Sequence, residues 1–161
     1  MTAELFVTQE QHVTAVLKEM EAVNEYDGGA CAPMDAIGIL LDGFRADFQS
    51  YRPTADPDVL MLELGHAAWQ AFLKFNPDDD VTRSLPPVLI SKHRRYGAEP
   101  LLRWGVPGVL IRIDSKFRRV INMERDELSG GERGESISDT LFDIVGYCVL
   151  GYYLCKKEEK A

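Results

Sequence analysis

Ile137-Ser-Asp-Thr-Leu141-Phe-Asp-Ile144-Val145-Gly-Tyr-Cys148-Val149-Leu-Gly-Tyr152 sets its apolar residues three and four positions apart. That step keeps side chains on one face of an α-helix, whereas a strand needs alternation by two. Ser136, just before the run, is a good N-cap. Asp139 follows three residues later, as in a capping box. The run closes on Lys156-Lys-Glu-Glu-Lys160, and lysines suit a helix C-terminus.

The same period recurs upstream. Val109, Leu110, Ile113, Phe117, Val120 and Ile121 make one face of a helix starting at about Val109. A polar loop from Glu124 to Gly134 would separate it from the last helix. Leu85-Pro-Pro-Val opens the helix before it, since proline favours a first turn. That helix ends at Tyr96-Gly97, a natural glycine C-cap. Earlier helices are expected over 57–75, 34–50 and 8–25, with breaks at Arg52-Pro-Thr-Ala-Asp-Pro57 and Tyr26-Asp-Gly-Gly-Ala-Cys-Ala-Pro33. Trp104, between helices, could stack on a base, but residue preference favours buried core. No clear alternating strand or internal repeat interrupts the pattern. The fold class is therefore all-α, a single domain over residues 1–161 with five or six helices.

At 161 residues, with 45% hydrophobic and 27% charged residues, the chain is long enough to bury one core. No apolar run reaches the ~18 residues of a membrane span. Met1-Thr-Ala-Glu-Leu-Phe has neither the basic nor the apolar region of a signal peptide. Cys31, Cys148 and Cys155 make an odd count without a CxxC pair, which points to a reducing cytoplasm. Cys148 and Cys155 read as small core residues.

The net charge of −8 argues against duplex nucleic acid as a partner. The charge is unevenly placed. Lys92 to Arg119 carries eight basic residues against two acids, Glu99 and Asp114; the rest of the chain carries ten against twenty-four. A basic segment inside an acidic chain suits a small anion.

Arg112, Lys116 and Arg119 fall at i, i+4 and i+7, on one helical face. Glu135, Asp139 and Asp143 are spaced by four, and steps of four drift by only about 40°, so they share another. Carboxylates one turn apart can reach one Mg²⁺, which keeps waters for a phosphate to displace. Arg would meet phosphates through paired hydrogen bonds and Lys as a point charge. Lys92 and Arg95 could join them, and Tyr96 could stack on a base. The plainer alternative is two amphipathic helices whose basic and acidic faces pair with each other. Glu63 and His66, one turn apart on the third helix, read as a surface contact.

Lys92-x-x-x-Tyr96-Gly97, then Gly108-x-x-x-Arg112-x-x-x-Lys116-x-x-Arg119, then Glu135-Ser-x-x-Asp139-Thr-x-x-Asp143-x-x-x-Tyr147, resembles the nucleotide modification associated domain 1 family of phages and bacteria. That family looks related to the all-α nucleoside triphosphate pyrophosphohydrolases of the MazG type. The likeness covers residues 88–155; residues 1–80 would be additional helices. It implies Mg²⁺ (or Mn²⁺) at Glu135, Asp139 and Asp143. It also implies a nucleotide held by Lys92, Tyr96, Arg112, Lys116 and Arg119, with Lys116, Asp139 and Asp143 as the catalytic set, and a dimer or tetramer. The chain departs from the MazG pattern of ExxE on one helix and ExxD on the next. The helix before the acidic one offers only Asp114, and Glu63 is the other acid to hand. Three readings follow: a metal-dependent pyrophosphohydrolase, a nucleotide-binding protein without turnover, and a helical interaction protein.

Overall fold

The computed structural model describes residues 10–23, 32–97, 99–129 and 136–160. Among these there are six helices and no strand: α1 (Glu10–Glu21), α2 (Pro33–Gln49), α3 (Pro57–Phe75), α4 (Val81–Tyr96), α5 (Glu99–Ser129) and α6 (Ile137–Lys160). The all-α bundle expected from the periodicity is what forms. No described helix is long and apolar enough to cross a membrane.

α6 lies at the centre because it is apolar on more than one side. Leu141, Ile144, Val145, Cys148, Val149 and Leu154 are all buried. Each large aliphatic side chain so buried contributes about 1.5–3 kcal/mol relative to exposure. Its broadest contacts run along α3 on one side and α5 on the other. Two glycines let α3 and α6 approach closely. A Cβ on Gly65 would lie 3.1 Å from the Cβ of Cys148, and one on Gly151 would press on Met61. α2 packs on α3 and α5, and α1 packs mainly on α4.

Several boundaries differ from the sequence reading. α1 ends at Glu21, short of the expected 25, with Ala22 and Val23 already outside the helix. α4 starts at Val81, four residues before Leu85, so Pro86 and Pro87 stand in its second turn. The start is built by polar side chains around Asp79 and Asp80. Thr82 Oγ1 donates to Asp80, and Ser84 Oγ donates to Asp79 Oδ1 at 2.8 Å. The prolines remove only the hydrogen bonds that the carbonyls of Thr82 and Arg83 would have accepted, near the helix end.

α5 is two helical pieces joined at Gly105, whose φ of 61° and ψ of −155° are non-helical. A positive φ of this kind favours glycine. The main piece therefore begins at Val106, with Pro107 in its first turn, three residues earlier than Val109. It also runs on through Glu124 to Ser129, where a loop was expected. Trp104, expected in the core, is 69% exposed on the piece before the kink. The non-helical Gly105 directly follows it, and residue preference does not foresee such a turn.

Candidate functional site: a cationic cleft between α4, α5 and α6

α4 carries a stripe of Leu85, Val88, Leu89, Lys92, His93 and Tyr96, spaced by three and four. Its N-terminal part is aliphatic and its C-terminal part is basic and aromatic. α6 runs the other way beside it. A Cβ on Gly146 would lie 3.3 Å from Leu89 Cδ1, while Lys92, nearly one turn on, meets Asp143. Between the two helices, with α5 closing the side, is a cavity of about 480 Å³. That size lies within the usual range for small-molecule sites.

The cavity has two chemically distinct ends. Leu85, Leu89, Gly146, Tyr147 and Leu150 line one; Lys92, Lys116 and Asp143 line the other, with Arg112 one turn along α5 from Lys116. Lys92 Nζ donates to Asp143 Oδ1 at 2.7 Å, and Lys116 Nζ donates to Asp143 Oδ2 at 3.1 Å. Both carboxylate oxygens are therefore bonded to ammonium groups that come from different helices. The Asp143 side chain is 19% exposed, against 47% for Lys92 and 26% for Lys116. The carboxylate sits inward and the cations sit towards the mouth.

Asp114, an acid within the basic segment, is turned away. Asp114 accepts from Arg45 at 3.0 Å and from Arg118 at 3.3 Å, on the far side of α5. α5 thus separates its charges by face, which leaves Arg112 and Lys116 for the cleft.

Of the residues singled out in the sequence, Lys92, Tyr96, Arg112, Lys116 and Asp143 line this one cavity. Arg119 does not. It shares the face of Arg112 but lies about 10 Å further along α5, at 1.5 Å per residue. Asp139 is exposed and does not line the cavity. It sits one turn nearer the start of α6, where its N–H donates to Ser136 Oγ at 3.0 Å. The expected N-cap is real, and it accounts for Ser136. Glu135 lies outside the described residues.

Of the three carboxylates expected at Mg²⁺, only Asp139 and Asp143 fall among the described residues. No three of the described His, Cys, Asp or Glu side chains come together to hold a metal ion. Asp143, the one carboxylate in the cleft, is already engaged on both oxygens by cations. Glu63 and His66 do not join it. Neither lines the cavity, and His66 Nδ1 lies 3.0 Å from the carbonyl oxygen of Met20.

His93 was missed. It is a buried polar residue on the cavity wall. The signal was present, since extending the Leu85–Leu89 stripe by four residues reaches it. Tyr147 and Gly146 also line the cleft, one turn beyond Asp143. Cys148, on the opposite side of α6, is fully buried, and burial pushes its thiol well above the ordinary range.

Comparison with protein-family models, curated proteins and solved structures finds no match to this chain. The likeness to the nucleotide modification associated domain 1 family therefore rests on the motif residues alone.

Proposed function

We propose that this chain binds a phosphorylated small molecule of the nucleotide class in the cleft between α4, α5 and α6. The observation that supports it is the convergence of Lys92 and Lys116 on Asp143 at one end of a cavity whose other end is apolar. An ammonium group carries three donors, so each lysine keeps two after bonding Asp143. Those donors and the Arg112 guanidinium offer a phosphate charge-assisted hydrogen bonds. Tyr96 and Tyr147 offer aromatic surface beside it, and the leucines of α4 offer an apolar bed.

The test is thermal unfolding of the intact chain with nucleoside mono-, di- and triphosphates, with and without Mg²⁺. A ligand that binds only the folded state raises the melting temperature. A shift with nucleotides that is lost in Lys92→Met and Lys116→Met supports the reading. No shift with any of them moves the function to the interaction-protein reading.

A second reading is the metal-dependent pyrophosphohydrolase. What supports it is the placement of the Asp143 carboxylate in the cleft beside Lys116. Mg²⁺-dependent release of pyrophosphate from a triphosphate, lost in Asp143→Ala, separates it from binding without turnover.

A further inference from the structure

The cleft is open to counting. Three cationic side chains line it, Lys92, Arg112 and Lys116, and one anionic side chain, Asp143. With the histidine counted as neutral, as in the chain's formal charge, the lining carries a net charge of two. The other basic residues of the segment do not add to it. Arg94, Arg95, Arg103, Arg118 and Arg119 are absent from the cavity wall, and Arg118 is bonded to Asp114. Outside the basic segment the chain is strongly acidic. A ligand whose charge exceeds that of the lining must leave the excess facing this field.

We infer that the cleft selects a phosphomonoester dianion, a nucleoside monophosphate, over di- and triphosphates, and that Asp143 sets this preference. This rests on the binding role proposed above and goes beyond it by fixing the ligand's charge. Asp143 lies deepest of the three ion-paired groups, between Lys92 and Lys116. A terminal phosphate seated on the outward donors of both lysines needs neither ion pair to break. Its two charges match the net charge of the lining. A polyphosphate would fill the same seat and carry a total charge above that of the whole lining, Arg112 included, which electrostatic complementarity penalises.

The body of the ligand meets a different chemistry. Beyond the lysines the wall is mostly apolar, with Leu85, Leu89, Gly146 and Leu150. Tyr147, between Gly146 and Leu150, adds one hydroxyl to that end; the other side chains there have no donor or acceptor, and their backbone groups belong to helices. The edge of a base would find a single hydroxyl rather than a donor–acceptor pattern at that end, so bases are distinguished mainly by stacking and fit.

Isothermal titration of the intact chain at pH 7 in chelator tests this. The probes are adenosine, guanosine, cytidine and thymidine as mono-, di- and triphosphates. Monophosphates are expected to bind roughly tenfold or more tighter than the matching triphosphates, with the four bases within about tenfold of one another. Asp143→Asn raises the net charge of the lining by one, and the optimum should move to the diphosphate. Lys92→Gln lowers it by one, and discrimination against di- and triphosphates should sharpen while overall affinity falls. The two variants move the preference in opposite directions, which a general loss of folding does not do. Tighter binding of triphosphates to the unmodified chain overturns the charge-matching inference and leaves the binding role standing. Equal gains for all three phosphate classes in Asp143→Asn overturn it too. No binding of any nucleotide, with folding intact, overturns both.

Discussion

Lys92 and Asp143 stand 51 residues apart in the chain and 2.7 Å apart in the fold, and their contact ties α4 to α6 at the rim of the cleft. Lys116 completes the bridge from α5. Replacing Asp143 with alanine leaves two ammonium groups facing each other without a counterion. Lys92 is about half exposed, so water screens much of the repulsion, and the expected loss of stability is at most about 1 kcal/mol. Thermal unfolding measures that loss. Affinity for nucleoside monophosphates should hold or rise in the same variant, because a competing anion has gone.

Gly146→Ala probes the apolar end. The new methyl would lie 3.3 Å from Leu89 Cδ1 and 3.8 Å from Leu85 Cδ1. Alanine in place of a helical glycine gains up to about 1 kcal/mol in propensity. A small shift of Leu89 accommodates the methyl by narrowing the cleft. The expected outcome is unchanged or slightly raised stability with weaker nucleotide binding. Weaker folding with unchanged binding would place Gly146 in the core instead.

Gly65→Ala should behave in the opposite way. Its methyl meets the Cβ of Cys148 at 3.1 Å and the end of Met20, inside the α3–α6 contact. The Met20 side chain can turn aside, but the Cβ of Cys148 moves only with the backbone of α6. Overpacking of this kind costs about 1–3 kcal/mol, which exceeds the helix-propensity gain. Chemical denaturation should show a lower midpoint at unchanged slope.

Two ion and hydrogen-bond contacts of α6 fix the pH limits of the bundle. Tyr152 donates its hydroxyl to Glu19 on α1, and burial, then that carboxylate, push it from 10.0 up to about 12. Its folded value is the higher one, so its contribution is complete below pH 10 and is lost as pH rises towards 12. Tyr152→Phe should flatten the alkaline arm of a stability–pH curve. Asp58 is held below its usual range mainly by its hydrogen bond to Lys156, at 3.0 Å. Its contribution is present above the ordinary carboxylate value and is lost as pH falls through the lowered one. Asp58→Asn should flatten the acid arm.

The two tryptophans report separately. Trp69 is 5% exposed and Trp104 is 69% exposed. Fluorescence should resolve into a blue component shielded from acrylamide and a red component that is readily quenched. Trp104→Phe should remove the red component and change stability by no more than about 0.5 kcal/mol, as surface substitutions do.

The sequence made the helices legible wherever packing decides them. α3 occupies 57–75 as its apolar spacing indicates, and α6 begins behind the Ser136 cap. It was less clear where polar chemistry sets the ends. Asp79, Thr82 and Ser84 start α4 ahead of its prolines, and an acidic, polar run that reads as loop extends α5 to Ser129. Lys92, Arg112, Lys116 and Asp143 could be picked out as charges with helical spacing. What spacing could not reveal is that Asp143 faces the lysines while Asp139, one turn away, faces solvent. Four residues turn a helix by about 400°, and the remaining 40°, with the rise of one turn, separates the cleft from the open surface. His93 and Gly146 carry no charge pattern, and only the pairing of α4 with α6 makes them neighbours of a ligand.

α4 is moored to α1 along one flank and touches α6 only over a short seam. Across most of its other flank the cleft stands where a neighbouring helix would otherwise interlock. A guest in that space supplies the atoms that neither helix gives the other, so filling the cleft and seating α4 become one equilibrium. Amide protons of α4 should then exchange more slowly in the presence of a bound nucleotide, while those of α3, already locked against α6, keep their rate.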